Sequence, residues 1–189
     1  MKDYFKESEE YNCDCFVADY SNQTDCKKGV IISITPFKDI ASFHLRKKNQ
    51  NQNLRYLGIN LEHYPSFITG IENCECIFYS LSESKKSWVL FLEIKCCGPE
   101  NIEKYETKTI SQMEATLCKL ETLGLLNRDN HRIYFVYSVP GYDEFEPFYA
   151  FHFTPDFILR LADQGIKFHG YNTILIATPN YLEIPQREI

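Results

Sequence analysis

Long apolar runs are missing from this 189-residue sequence. None approaches the roughly 20 consecutive apolar residues that a membrane-spanning helix needs. The first residues include Lys2, Asp3, Lys6 and Glu7, so they lack the apolar core of a signal peptide. We therefore expect a cytoplasmic protein with no membrane partner.

Paired metal-binding cysteine motifs are missing as well. The chain has eight cysteines but no CxxC pair. Free cysteine is common in the cores of reduced proteins, and this is our interpretation of Cys74 and Cys76. A weaker alternative is a zinc-dependent binding element near the N-terminus. Its candidate ligands are Cys13, Cys15 and Cys26, with Asp14 and Asp25.

Clustered positive charge is scarce. The formal net charge is -6, which argues against binding of nucleic acid over the whole surface, because phosphate neutralisation needs clustered Lys and Arg. Arg46, Lys47 and Lys48 form a short basic cluster that we interpret as a solvated loop. A local basic groove stays compatible with the sequence. Hydrophobic residues make up 44% of the chain, which is typical of a compact globular domain.

The apolar pattern predicts an α/β fold with a mixed central β-sheet flanked by helices. We divide the chain into residues 1–56, an N-terminal extension packing on the core, and residues 57–189, the α/β core. The extension is predicted to contain a loosely ordered leader or a short helical cap over residues 1–29, a strand over 30–34 and a short helix over 39–48.

In the predicted core, a continuous apolar run at residues 88–94 is typical of a central strand covered on both faces. Apolar residues at three- and four-residue steps predict a helix over 100–123. The remaining predicted elements are an edge or bent strand at 57–68, strands at 74–79, 132–139 and 172–177, and a helix capped by Thr154 that runs from Pro155 to Ala162. The acidic and aromatic stretch 142–151 is predicted to be a loop or hairpin over one edge.

Glu93 and Lys95 stand at the end of the predicted central strand. The pattern of an acid, any residue and Lys occurs four times in the chain, and only this occurrence extends a buried strand. Residues two apart on a strand share a face, so both charges project together. Burial of either charge alone is costly, which indicates that each has a partner, such as a metal, a phosphate or the other charge. The alternative is that the strand frays and both charges reach solvent.

Two further positions point toward the same place. Glu75 lies 18 residues before Glu93 in the preceding predicted strand, so antiparallel pairing can bring the two carboxylates together. Paired carboxylates suit a hard divalent cation. Gln112 and Thr116 lie one turn apart on the predicted helix, beside its apolar stripe.

Three segments resemble the strand, strand and helix motifs of the PD-(D/E)xK nucleases, which have a restriction-endonuclease-like fold. They are CEC at 74–76, LFLEIK at 90–95 and QMEAT at 112–116. The resemblance implies that Glu75 and Glu93 bind Mg²⁺ or Mn²⁺, that Lys95 orients water or stabilises charge, and that Gln112 assists. The chain departs from the family pattern at Glu75, where Asp is usual, and at Cys74, where Pro is usual. The family often has an additional acid on an earlier helix, and Glu62 is a weaker candidate for it, although it is predicted to lie on a strand.

The resemblance implies a metal-dependent enzyme that hydrolyses phosphodiester bonds of DNA or RNA, and it is compatible with a homodimer. The alternative is a catalytically inactive member of the same fold that acts as a protein-binding module. Residues 145–153, rich in aromatic side chains, would then form the contact surface with a protein partner.

Overall fold

The computed structural model describes residues 1–23, 29–82, 86–98, 101–141 and 155–186. In this part of the chain, two mixed β-sheets pack together. The strands are β1 (Glu9–Tyr11), β2 (Cys15–Asp19), β3 (Val30–Ser33), β4 (Phe43–Lys47), β5 (Tyr56–Asn60), β6 (Cys76–Ser80), β7 (Ser87–Ile94), β8 (His131–Ser138), β9 (Ile166–Gly170), β10 (Thr173–Thr178) and β11 (Tyr181–Glu183). The helices are α1 (Tyr20–Gln23), α2 (Pro65–Ile68), α3 (Ile102–Thr122) and α4 (Pro155–Asp163), and a 3-10 turn spans Leu61–His63.

The larger sheet has six strands in the order β1-β5-β6-β7-β8-β9. The pairs from β1 to β7 are antiparallel, whereas β7, β8 and β9 run parallel. All eight residues of β7 are buried, so the prediction of a central strand covered on both faces is confirmed. The mixed α/β class is confirmed too, while a restriction-endonuclease-like core stays a prediction.

The smaller sheet has five strands in the order β11-β10-β4-β2-β3. Its β4 and β10 are parallel, and its other pairs are antiparallel. Strands from both sides of position 56 therefore contribute to each sheet. Among the described residues, no helix is long and apolar enough to cross a membrane.

The larger sheet has an apolar layer on each face. Leu90, Leu92 and Ile94 of β7 face the smaller sheet. Val89 and Phe91 face the opposite way, toward a second cluster that includes Ile110, Met113, Leu117 and Leu120 of α3. Side chains alternate along a strand, so Glu93 follows Phe91 onto the face that α3 covers.

Asn172 joins the two sheets at the point where the chain passes from one to the other. Its Oδ1 accepts hydrogen bonds from Ser138 Oγ and Val139 N, both at 2.9 Å, and its Nδ2 donates to Val139 O at 2.9 Å. Its backbone carbonyl accepts from His44 N at 2.8 Å, next to β4 of the smaller sheet. The buried amide thus fixes the end of β8 against the start of β10.

Two predictions for the N-terminal part are wrong. The segment 1–29 contains β1 and β2 rather than a loose leader, and β4 replaces the predicted helix over 39–48. Phe43, Leu45 and Lys47 are buried while the residues between them are not, which is the two-residue period of a strand.

Lys47 does not belong to a solvated loop as predicted. Its side chain is buried, and Nζ donates to the carbonyl oxygens of Asn12, Gln50 and Gln52 at 3.0, 3.3 and 2.5 Å. Three carbonyl dipoles stabilise the ammonium there, because buried charge needs hydrogen-bonding partners.

Most element predictions after residue 70 are confirmed, including β6, β7, α3, β8 and α4. The strand predicted over 57–68 ends at Asn60, and Pro65 begins α2 instead of bending a strand. This strand, β5, is internal in its sheet rather than at an edge, because it lies between β1 and β6. The last predicted strand belongs to the smaller sheet as β10, and β9 and β11 were not predicted. Thr154 and the stretch 142–153 lie outside the described residues.

Candidate acidic site at the end of the central strand

Glu75 and Glu93 meet where β6 and β7 end. The antiparallel register sets Cys76 opposite Leu92, so one further step places Glu75 beside Glu93. The backbone N–H of Glu75 donates to Leu92 O and to Glu93 Oε2, both at 3.2 Å. In return, Ile94 N donates to Glu75 Oε2 at 3.0 Å. Each carboxylate thus accepts a backbone hydrogen bond from the neighbouring strand.

Lys95 forms an ion pair with Glu93, through a hydrogen bond from Nζ to Oε1. Its backbone N–H donates to Ser138 O at 2.9 Å, which extends the ladder between β7 and β8 past Ile94. Glu93 is fully buried, and the Lys95 side chain is 18% exposed. The strand therefore does not fray at this point, and both charges are held at the edge of the core.

The pKa values of the site are perturbed by burial and by mutual charge. Burial raises the pKa of Glu75 well above its usual range, and the nearby charge of Glu93 raises it further. Burial also raises the pKa of Glu93, against the opposing effect of Lys95. Burial alone would lower the pKa of Lys95, but the charges of Glu93 and Glu75 outweigh it and the pKa is raised. Lys95 is therefore charged at neutral pH, and its charge favours the ionised form of Glu93.

Asp19 is a third acid near this site, and the sequence did not reveal it. It ends β2 in the smaller sheet and is 2% exposed. Its charge raises the pKa values of Glu75 and Lys95, which shows that it lies close to both. Its Oδ1 accepts hydrogen bonds from Ser21 N at 2.9 Å and Ser21 Oγ at 2.6 Å. The inward alternation of Cys15, Val17 and Asp19 would have indicated it, had β2 been recognised.

Helix α3 braces the loop that leads into Glu75. Gln112 Nε2 donates to Asn73 O at 2.9 Å, and Thr116 Oγ1 accepts from Cys74 N at 3.0 Å. Thr116 also donates to Gln112 O at 2.8 Å. Gln112 thus contacts the loop backbone through its amide nitrogen. Two buried oxygens of α3 have no hydrogen-bond partner among the described residues. They are Gln112 Oε1 and, one turn earlier, Thr109 Oγ1.

Cys15, Cys74 and Cys76 fit packing better than ligation, because all three are buried. Cys74 and Cys76 are fully buried, as predicted, and burial raises their pKa values well above the ordinary range. Cys15 packs between the sheets, where burial raises its pKa to about 12. Asp14 accepts a hydrogen bond from Lys47 N at 2.9 Å. Cys13, another candidate zinc ligand, is half-buried. The remaining two candidates, Asp25 and Cys26, lie outside the described residues.

Glu62, the weaker candidate acid, is engaged with β3. Its Oε2 accepts a hydrogen bond from Val30 N at 3.1 Å. The same carboxylate lies against Gly29, whose φ is +66°, and a Cβ at that position would come within 2.3 Å of Oε2. Glu62 therefore stabilises the start of β3.

The oxygen ligands and the charge of the site fit a divalent cation of the Mg²⁺ type. Mg²⁺ keeps several waters and is usually held by one or two carboxylates, which Glu75 and Glu93 provide. Burial is the main cause that raises the pKa values of both carboxyl groups, and a bound cation would favour their ionised forms together with Lys95. Within the described residues, no group of three or more His, Cys, Asp or Glu side chains is arranged to hold a metal. A two-carboxylate site does not require such a group.

Comparisons with protein families, curated proteins and solved structures gave no match. Function must therefore be inferred from the chemistry of the acidic site. One fully buried and one half-buried carboxylate, a third acid nearby and one ammonium can bind a cation and stabilise an anionic phosphate beside it.

Proposed function

We propose that the chain is a Mg²⁺- or Mn²⁺-dependent hydrolase of phosphodiester bonds in DNA or RNA. The observation that carries this proposal is the pairing of the half-buried Glu75 with the fully buried Glu93, whose pKa values are both raised beside Lys95 at the end of the central strand. The resemblance of residues 74–76, 90–95 and 112–116 to nuclease motifs supports the same conclusion.

In this proposal Glu75 and Glu93 hold the cation. When bound, the metal lowers the pKa of a coordinated water and screens the negative charge of the phosphate. Glu75 is the carboxyl group with the strongly raised pKa, so it releases a proton when the cation binds. The backbone N–H of Ile94, 3.0 Å from Glu75 Oε2, keeps the carboxylate oriented.

Lys95 acts through its charge. Its pKa is raised, so it stays an ammonium at neutral pH and cannot serve as a general base. It donates a hydrogen bond to Glu93 and can donate others to phosphate oxygens as negative charge develops on them. Gln112 and Thr116 are positioning residues, since they fix the loop that carries Glu75.

The experiment compares cleavage of single- and double-stranded DNA and RNA by the purified protein in Mg²⁺, in Mn²⁺ and in chelator. We expect metal-dependent cleavage that is lost in Lys95→Ala and Glu93→Gln. Lys38→Ala is the matched control, because Lys38 is exposed. Absence of cleavage of every substrate by the wild-type protein would overturn the proposal, and so would cleavage that survives Lys95→Ala.

A noncatalytic protein-binding module is the second candidate. It is favoured by the ion pair between Lys95 and Glu93, because this pair satisfies Glu93 without a metal. Calorimetric titration with Mn²⁺ separates the two functions. Uptake by the wild type but not by Glu93→Gln supports the enzyme, whereas no uptake together with no cleavage supports the binding module. Sedimentation of the same samples tests whether the chain forms a homodimer.

A further inference from the structure

A cleft of about 350 Å³ lies where the exposed edges of the two sheets approach each other. One wall is β9, the edge strand of the larger sheet, and the other is β11, the edge strand of the smaller sheet. Lys167, His169, Tyr181 and Glu183 are among the residues that line it. The volume is within the roughly 300–1,000 Å³ of known small-molecule sites.

Positive charge and aromatic rings meet at this cleft, where Lys167 and Tyr181 are part of the lining and Arg132 and Tyr134 lie beside it. Lys167 Nζ lies 4.3 Å from the ring centre of Tyr181 and 5.5 Å from that of Tyr134. The guanidinium of Arg132 lies 5.8 Å from the Tyr181 ring. Both Lys167 and Arg132 are exposed. Two cations thus converge on one ring in a chain whose net charge is -6.

Among the described residues that line the cleft, the one acid is Glu183, and it has a cation of its own. Glu183 Oε2 is 2.5 Å from Lys48 Nζ, on the neighbouring part of the smaller sheet. Its charge is therefore offset by Lys48, and Lys167 and Arg132 are left to attract an anion.

The base of the cleft is aromatic and held in place. The ring of His169 stacks on Tyr134 with centroids 6.0 Å apart, and Tyr134 Oη accepts a hydrogen bond from Leu182 N at 3.3 Å. Burial lowers the pKa of His169 to about 4, so its ring is neutral at pH 7. His169 therefore offers a ring face and a hydrogen-bonding nitrogen without adding charge.

We propose that this cleft binds a nucleoside phosphate, with the base against the Tyr181 ring and the phosphate between Lys167 and Arg132. A phosphate is a stronger partner for an ammonium than the face of a phenol ring. Lys167 can move from the ring to the phosphate, and the ring face that it leaves is then available for stacking of the base. Aromatic rings that stack with bases next to cations that hold phosphates are the usual elements of sequence-tolerant binding to single strands.

The cleft does not depend on the acidic site, so binding is measured in chelator with both the wild-type protein and Glu93→Gln. The probes are a short fluorescent oligouridine, followed by anisotropy, and free AMP, followed by calorimetry. We expect both proteins to bind with equal affinity. A chain that binds these probes without cleaving nucleic acid would retain this proposal and lose the nuclease.

The variants separate charge from stacking. For a strand that contacts two cations, the logarithm of the affinity falls with the logarithm of the salt concentration with a slope of about 1.4, and Lys167→Gln reduces the slope to about 0.7. Tyr181→Leu weakens binding by about 5- to 150-fold, the range for loss of one stacked base. Lys38→Gln, the matched surface control, leaves binding unchanged.

Binding of AMP as well as oligouridine identifies a site for a free nucleotide, and binding of oligouridine alone identifies a site within a strand; both outcomes support the proposal. Three results overturn it. The first is that neither probe binds the wild-type protein. The second is that Lys167→Gln binds the probes as tightly as the wild type does. The third is that inorganic phosphate displaces AMP at an equal concentration. The last result would show that the base contributes nothing.

Discussion

Replacement of Lys95 by Met removes the ammonium and keeps most of the aliphatic stem, so it tests whether Glu93 depends on its partner. Glu93 is fully buried, and its carboxylate is paired with Lys95. Removing one member of a buried pair costs about 3–5 kcal/mol, because the other charge is left uncompensated. The Lys95 side chain is 18% exposed, so water can reach the site in part, and we expect a loss of about 2–3 kcal/mol at pH 8.

The loss depends on pH with a definite sign. The pKa of Glu93 is already raised by burial, and it rises further in Lys95→Met because the ammonium no longer favours the carboxylate. When a carboxyl group has a higher pKa in the folded than in the unfolded state, the folded protein becomes more stable as the pH falls through the pKa of the folded state. The difference between Lys95→Met and the wild type should therefore shrink from pH 8 to pH 5.

The assay is urea unfolding at pH 8 and pH 5, in chelator, with thermal unfolding as a second measure. A loss of about 2–3 kcal/mol corresponds to a decrease in Tm of about 4–12 °C for a chain of this size. The double variant Glu93→Gln/Lys95→Met should lose the pH-dependent part, and Lys38→Met should match the wild type. If Lys95→Met is as stable as the wild type at pH 8, or if its deficit is equal at both pH values, the account of Glu93 as a buried charge in need of a partner is refuted.

Three further predictions concern other buried polar groups. Glu75→Gln should be more stable than the wild type at pH 8 and equal to it below about pH 4, because the raised pKa of Glu75 means that its ionised form opposes folding; urea titration across this range checks the sign. Lys47→Met should lose about 2–4 kcal/mol in urea unfolding, since three carbonyls lose their donor, whereas Lys48→Met should lose under about 1 kcal/mol. Asn172→Ala should lose about 3 kcal/mol, and amide hydrogen exchange should increase first near Val139, where two of its hydrogen bonds end.

The central strand and the long helix could be predicted because their signals are local. A continuous apolar run marks β7, and three- and four-residue spacing marks α3. Glu93 and Lys95 could be identified as candidate site residues once β7 was predicted, since the end of a buried strand is an unusual place for charge. Their proximity to Glu75 followed from a short antiparallel connection.

The smaller sheet could not be predicted in the same way. Its strand β4 has the sequence FHLRK, in which charged residues hide a two-residue period, and its parallel partner β10 lies 129 residues further along, from His44 to Thr173. Pairing over such a separation leaves no mark in local periodicity. Asp19 was missed for the same reason, because its inward direction is visible only once β2 is placed in that sheet.

The parallel pairing of β4 with β10 also has a consequence for the order of events during translation. At a synthesis rate of about 5–20 residues per second, the ribosome needs roughly 6–26 s to add the 129 residues between His44 and Thr173. During that interval β2 can already pair with β3 and β4, while the other edge of β4 stays unpaired because β10 has not yet been synthesised. An unpaired strand edge can pair with other chains, so the nascent protein should be most prone to aggregation, and most dependent on chaperones, just before its last strands emerge.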